Sequence, residues 1–297
     1  MTWHILSPPE RIKQGLTVHR YVGRMNSSLQ SSTMPEHELI PVTLTANEQI
    51  RPRLHRLTFH AEAFRTYELA GPDEYFGLVM PQAGQEFAPF PVDGVNIRAA
   101  VAAMDEETRP DLRWYTIRAL HPEDATVDVD VVTHGDSGPG SRWILRAQPG
   151  DTAGFFTCNE MWRPTEAAQL LVADASALPA LRHILAFQEE HDPAKLASTD
   201  VVAVVTSDDE VEPGLAARWE PSVRSLRVLR TEPHQEADSV VAALEADFAG
   251  DSVPGYVWVS GEGDLAKKVR GLAVKGWGLP TDDVTWVPYW FYGRARP

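Results

Sequence analysis

A single cysteine, Cys158, is the only thiol in 297 residues. The chain can therefore form neither an internal disulfide nor a multi-thiolate metal centre, and an iron–sulfur cluster is excluded. Long apolar runs are also missing. No window reaches the roughly 18 apolar residues of a membrane-spanning helix, and the opening MTWHILSPPE has no basic stretch leading into an apolar one. These absences predict a cytoplasmic protein without membrane insertion. Basic residues are scarce, 27 Lys and Arg against 42 Asp and Glu for a net charge of -15, which argues against a nucleic-acid partner. The ten histidines include no HExxH pair, and His55 and His60 lack helical ligand spacing, so no metal site is predicted. Neither a Gly-x-Ser-x-Gly elbow nor a phosphate-binding Lys-Ser/Thr loop occurs. Redox chemistry in such a chain needs a bound organic cofactor.

The composition that remains, 43% hydrophobic and 23% charged, is that of a globular protein long enough for two domains. Residues 1–35 mix short apolar pieces with the polar stretch MNSSLQSST and read as an arm. Residues 36–160 carry seven runs of strand character, ELIPVTLTA, RLHRLTFH, EYFGLVMP, VNIRAAV, RWYTIRAL, TVDVDVVTH and DTAGFF, punctuated by Gly, Pro and Asp. This pattern predicts an antiparallel sheet or barrel. Residues 161–297 change rhythm: AAQLLVAD, DVVAVVTS, SLRVLRT and GYVWVS read as short apolar strands, with SALPALRHILAFQEEH, QEADSVVAALEADF and GDLAKKVRGL as helices. Strand then helix, repeated, predicts a parallel sheet of Rossmann-like α/β type.

Two pieces carry chemistry. In Arg113-Trp114-Tyr115-Thr116, strand alternation puts Arg113 and Tyr115 on one face and Trp114 and Thr116 on the other. A guanidinium beside a flat aromatic suits a diphosphate and a conjugated ring, although RWYT is equally a good plain strand. About twenty residues on, HGDSGPGSRW at 134–143 combines a flexible loop with a short helix start, where freed backbone N–H groups can receive a pyrophosphate and the Ser141 hydroxyl adds a donor. An ordinary Gly/Pro turn is the alternative. The order of the two pieces raises the weight of both.

Together with LLVADASALPALRHIL at 170–185, YVWVSGEG at 256–263 and PYWFYGRA at 288–295, these pieces resemble the siderophore-interacting proteins, FAD-dependent ferric-siderophore reductases of the ferredoxin-reductase-like superfamily. The resemblance covers about residues 38–297. It implies a six-stranded antiparallel FAD-binding β-barrel followed by a nucleotide-binding α/β domain, with FAD between them, NADH or NADPH as donor and a ferric siderophore as substrate, its iron released as Fe(II). A flavin reductase for a quinone, dye or protein acceptor and a non-catalytic siderophore-binding protein are the alternatives. Cofactor contacts are implied for Arg113, Trp114, Tyr115 and Thr116; for His134, Gly138, Gly140, Ser141 and Trp143; for Asp174, Ser176 and Ala177; and for Gly261, Glu262 and Trp290. Ser176 stands where the family has Thr and is expected to cap the following helix. Gly261-Glu262-Gly263 has a second reading, a plain helix N-terminus with favourable acids.

Two further expectations rest on charge. The strand DVVAVVTS runs into Asp208-Asp209-Glu210 with no basic residue close in sequence, which predicts a preference for NADH over NADPH. Residues 1–60 have net charge +3 and residues 261–297 net +2, so the middle carries -20. This asymmetry nominates Arg51, Arg53 and Arg56, with Lys267 and Lys268, as a basic patch for an anionic ferric siderophore.

Overall fold

A computed structural model describes residues 37–92, 96–133 and 138–293. The expected arm at 1–35 lies outside them. In the first half seven strands form one sheet: β1 (Leu39–Arg51), β2 (Leu54–His60), β3 (Tyr75–Met80), β4 (Asp111–Thr116), β5 (Ala119–His121), β6 (Thr126–Val132) and β7 (Thr152–Phe156), in the order β4-β3-β7-β1-β2-β6-β5. Every neighbouring pair is antiparallel. Register shifts between Leu44 and Ala46 and between Gln49 and Arg51 bend β1. Its start can then pair with β7 while its remainder pairs with β2, and the sheet curls. Leu57, Phe59, Val127 and Val129 alternate into the hollow so formed, where Phe76 and Phe155 stack with ring centroids 4.0 Å apart.

The sheet differs from the expected six-stranded barrel in strand count. VNIRAAV is not a strand: Ile97 and Val101, four residues apart, are buried on one side of a short helix, α1 (Ile97–Ala102), whose first turn is capped by the Asn96 side chain. RWYTIRAL is two strands. Its chain leaves β4 at Ile117, whose N–H donates to Glu74 O, and joins the other side of the sheet through Arg118 N–H to Asp128 O. One strand lost and one divided make seven, with β4 and β5 as the two edges. Helix α2 (Pro139–Arg146) lies between β6 and β7 in sequence.

The second half holds β8 (Gln169–Asp174), β9 (Thr199–Val205), β10 (Ser225–Arg230), β11 (Tyr256–Glu262) and β12 (Val284–Trp290) in a parallel sheet of order β10-β9-β8-β11-β12. The central strands β8, β9 and β11 are buried at every position, which is why they read as unbroken apolar runs instead of alternations. Helix α3 (Leu178–His191), followed by α4 (Pro193–Leu196) and α5 (Leu215–Trp219), covers one face over Leu171, Ala173, Val201 and Ala203. Helices α6 (Glu236–Asp247) and α7 (Gly263–Gly271) cover the other, over Val172, Val202, Val257 and Val259. Among the described residues no helix is long and apolar enough to cross a membrane.

Buried polar groups tie the halves together. The Asp73 carboxylate, before β3, accepts from Met161 N–H and Trp162 N–H, both at 2.9 Å, and from the Trp258 indole on β11 at 3.0 Å. Arg53 and Arg56 on the β1–β2 side reach Glu210 and Glu212 beyond β9, and Arg118 pairs with both Asp130 and Glu212.

Candidate functional site

On β4, Arg113 and Tyr115 pair with Leu78 and Phe76 of β3, and α2 lies against the same face. The closeness depends on residue 140 having no side chain. A Cβ on Gly140 would stand 2.4 Å from Tyr115 Oη, inside any real contact distance, and a tight 3.3 Å from Arg113 Cγ. The first turn of α2 therefore presents its backbone to the Arg113–Tyr115 pair. Pro139, at the first helical position, has no N–H, so the N–H groups of Gly140 and Ser141 are the ones at the helix head without an intrahelical acceptor, and they point out of its end. Gly138 is the residue before the helix, in extended conformation with open space around it, and Ser141 is the third helical residue.

The other residues expected in this region divide. Thr116 is buried, and its hydroxyl lies 3.4 Å from the Tyr289 hydroxyl on β12, joining the two sheets. Trp114 is on the opposite face of β4 from Arg113 and Tyr115, edge-on to Tyr75 at 5.7 Å and under the Arg98 guanidinium at 5.6 Å. Trp143 is a core residue, buried and stacked on Phe59. His134 lies outside the described residues.

The second cluster forms at the carboxyl ends of β8, β11 and β12. Asp174 ends β8 and is 4% exposed. Its Oδ1 accepts from Ser176 N–H at 2.8 Å, Ser176 Oγ–H at 2.6 Å and Ala177 N–H at 3.2 Å; its Oδ2 accepts from Glu262 N–H at 2.7 Å and Trp290 Nε1–H at 2.9 Å. Burial pushes this carboxyl's pKa up, and the donors from Ser176, Trp290 and Glu262 oppose the rise. Asp174, Ser176, Ala177, Glu262 and Trp290, all expected to contact a cofactor, thus meet at one carboxylate. Gly261 takes φ +133°, and a Cβ there would sit 2.3 Å from Asp174 Cγ, so only glycine lets β11 approach the hub. Capping falls to Asp174, because Ser176 donates its hydroxyl to that carboxylate instead of accepting from the helix. Glu262 is itself a cap: its carboxylate accepts from Asp264 N–H at 2.6 Å and Leu265 N–H at 3.1 Å at the head of α7, which favours the helix-terminus reading of Gly261-Glu262-Gly263.

The basic candidates do not converge. Arg53 pairs with buried Glu210, and its N–H donates to Asp209 O; Arg56 is bound by Asp130 and Glu212. Glu212 also pairs with Arg182 of α3. Lys267 and Lys268 are exposed on α7, where Lys268 pairs with Asp238 of α6. Helix α3 and helix α7 cover opposite faces of the parallel sheet, which keeps the two sets apart. Glu210 is turned inward, accepting from Thr206 and Ser207 N–H and from the Thr206 hydroxyl, and Asp208 pairs with Arg230 at the end of β10. Parallel pairing of β9 and β10 brings in this arginine, which is 22 positions from Asp208 in sequence. Sequence reasoning also missed Asp73, and nothing local marks either it or Tyr289 as a bridge between sheets. Among the described residues no group of His, Cys, Asp or Glu is placed to hold a metal.

The profile of the siderophore-interacting FAD-binding domain matches residues 43–160, and that of the siderophore-interacting protein matches residues 166–293. The chain belongs to the siderophore-interacting protein family. Among its relatives, the ferric vibriobactin reductase ViuB of Vibrio cholerae is 25% identical over 261 residues, covering 83% of this chain and 92% of the relative. The NADPH-dependent ferric-chelate reductase of Escherichia coli is 29% identical over 240 residues, covering 77% and 84%. The mycobactin import ATP-binding/permease protein IrtA of Mycolicibacterium smegmatis is 29% identical over 187 residues, 62% of this chain, and this chain spans only 20% of that protein's length. Among solved structures, a siderophore utilization protein from T. fusca superposes with TM-score 0.69 at 26% identity, covering 89% of this chain and 97% of that one. SipS from Aeromonas hydrophila superposes with TM-score 0.67 at 23% identity, covering 87% and 93%, and supports the same fold.

Proposed function

We propose that this siderophore-interacting protein is an NAD(P)H-dependent, FAD-containing ferric-siderophore reductase acting in the cytoplasm, with residues 36–160 holding FAD and residues 161–297 receiving the nicotinamide. The observation that carries the reading is the seating of the α2 head on Arg113 and Tyr115, made possible by Gly140. The arrangement fits FAD by its chemistry. A guanidinium, free helix-head N–H groups and the Ser141 hydroxyl supply donors for a diphosphate. The partly buried Tyr115 ring beside them supplies an apolar plane for a conjugated ring. FAD, when bound, supplies the conversion of a two-electron donor into one-electron deliveries, so each nicotinamide oxidised accounts for two ferric ions reduced.

The chain's own residues bind and align. Arg113 neutralises diphosphate charge, and Tyr115 fixes the ring plane. The hub at Asp174 holds the ends of β8, β11 and β12 in one arrangement, at the edge of the sheet where α/β folds receive nucleotides. The Thr116–Tyr289 contact brings that edge against β4. The ferric-reductase names of the relatives support the acceptor class.

The test uses the purified full chain. Its visible spectrum should show a bound flavin that bleaches anaerobically with NADH or NADPH. Adding a ferric siderophore should restore the oxidised spectrum, while a ferrous chelator traps two Fe(II) per nicotinamide. A reduced flavin that ferric siderophores leave unchanged but quinones or dyes reoxidise would replace this reading with that of a general flavin reductase. A chain that binds ferric siderophore and no flavin would make it a carrier.

A further inference from the structure

The far end of α2 is held by two side chains of the sheet. Asn47 of β1 donates its Nδ2–H groups to Ile144 O at 2.8 Å and Ala147 O at 3.0 Å, carbonyls at the last turn of the helix. Helix-end carbonyls lack intrahelical partners, and one amide here serves two of them. Because both of its near neighbours are acceptors, the NH2 group must face the helix, and Oδ1 must face away. His55 of β2 lies 3.0 Å from that oxygen through Nδ1. An amide oxygen only accepts, so His55 carries its proton on Nδ1. Nε2 is then a bare lone pair. It is buried, with no hydrogen-bond partner among the described residues, on the strand face that also carries Leu57 and Phe59.

A histidine 8% exposed with an orphaned Nε2 is a poor choice for packing alone, since an apolar side chain of the same shape would bury no unsatisfied ring nitrogen. Burial also holds its pKa below the ordinary imidazole value, which favours the neutral ring, and the Asn47 acceptor keeps its one proton on Nδ1. What the histidine does supply is orientation. Without the Nδ1 donor, the Asn47 amide has no reason to keep its NH2 toward the helix. Other restraints on α2 include Trp143 and Ile144 in the core and Arg146, which donates to Pro81 O at 3.1 Å. None of these fixes the carbonyl end axially in the way two hydrogen bonds from one amide do.

We propose that Asn47 and His55 are positioning residues for FAD: His55 sets the Asn47 amide, Asn47 sets the axial position of α2, and α2 sets its head against Arg113 and Tyr115 where the diphosphate is received. The inference rests on the reading that α2 faces the diphosphate. With Gly140 already in contact distance of Tyr115, a helix of eight residues has no slack, and a displacement at one end appears at the other.

The test measures the Kd of the full-length chain for FAD and for riboflavin, which lacks the diphosphate, alongside the Tm of the flavin-free protein. His55→Phe keeps the shape and removes both nitrogens. It should weaken FAD binding by about tenfold, leave riboflavin binding within about twofold, and leave the flavin-free Tm nearly unchanged, because relief of the orphaned Nε2 offsets the donor lost to Asn47 Oδ1. Asn47→Asp, which cannot donate to the carbonyls, should weaken FAD more than His55→Phe does. His55→Asn, which restores a donor, should recover part of the loss. Equal losses for FAD and riboflavin, or an FAD loss that tracks a falling Tm, would show a merely structural role and overturn the proposal. So would wild-type FAD affinity in His55→Phe. Arg113→Ala separates the two levels: if it weakens FAD while Asn47→Asp does not, the diphosphate reading stands and the clamp falls; if neither matters, the diphosphate reading falls with it.

Discussion

Trp290 donates its indole Nε1–H to Asp174 Oδ2 across 2.9 Å, linking the end of β12 to the end of β8 over the intervening strand β11. The residues are 116 positions apart, and the same carboxylate also accepts from Ser176, Ala177 and Glu262. An asparagine at this position keeps the shape but must turn an NH2 toward groups that all donate. Asp174→Asn should therefore lower stability by about 3 kcal/mol and release the Trp290 indole from its acceptor. Denaturant unfolding should record the first effect, and a changed tryptophan emission the second. A variant as stable as wild type with unchanged emission would mean that the carboxylate's charge does not hold the hub.

Arg113→Ala should leave the fold intact, because β4 keeps its pairing with β3, while FAD affinity falls by roughly 10- to 100-fold from the loss of a charge-assisted contact. Tyr115→Ala should alter the flavin absorption envelope more than the melting temperature. Stoichiometric FAD of unchanged affinity in purified Arg113→Ala would remove Arg113 from the site.

How much of this was readable in advance depended on how local each signal was. The parallel half was legible because central strands buried on both faces leave apolar runs such as QLLVAD and TDVVAVV. The first sheet was legible in kind but not in count, since VNIRAAV has β-branched ends yet runs from Ile97 as a helix that buries Ile97 and Val101, and RWYTIRAL hides a strand break at Ile117. Arg113, Tyr115, Gly140, Asp174, Ser176, Glu262 and Trp290 came from motifs, and the structure gathers them into two clusters. Trp114 lies on the face of β4 away from Arg113 and Tyr115, as strand alternation indicates, and helix rotation turns Trp143, which the resemblance placed with them, into the core. The basic patch drew on a weaker signal: net charge along the chain says nothing about which face of a sheet each residue reaches, and Arg53 and Arg56 are engaged by Asp130, Glu210 and Glu212.

The donor preference tests the same limit. The acids after β9 were expected to disfavour a 2′-phosphate, yet Glu210 faces inward to Arg53, and the basic neighbour of Asp208 among the described residues is Arg230, itself at the end of β10. Arg230→Glu therefore separates the two cases. If the acids dominate, NADH has the higher kcat/KM in wild type and the variant changes the NADH to NADPH ratio by less than about twofold. If Arg230 reaches the 2′-phosphate, the variant loses NADPH activity by about tenfold or more and retains NADH activity. The second result would overturn the expected NADH preference.

The buried acid at Glu74 makes a prediction about pH. Glu74 is 1% exposed, its carboxylate takes the Tyr67 hydroxyl on one oxygen, and Ala70 N–H lies 2.5 Å from the other. Burial pushes its pKa from 4.5 up to about 7, and the nearby acids Glu160 and Asp73 push in the same direction, against the hydrogen bonds from Tyr67 and Ala70. The folded chain thus keeps a proton that the unfolded chain gives up near pH 4.5. Its contribution to stability is full below that pH and is lost as pH rises through about 7, a fall on the order of 3 kcal/mol. Glutamine in its place would mimic the neutral acid, with the amide oxygen accepting from Ala70 N–H and the NH2 donating to Tyr67 Oη. Glu74→Gln should match wild type near pH 5 and exceed it near pH 8, so that the two unfolding free energies, measured in denaturant at both pH values, diverge as pH rises. Curves that stay parallel would show that Glu74 is ionised in the folded protein throughout, with its charge carried by the Tyr67 and Ala70 donors.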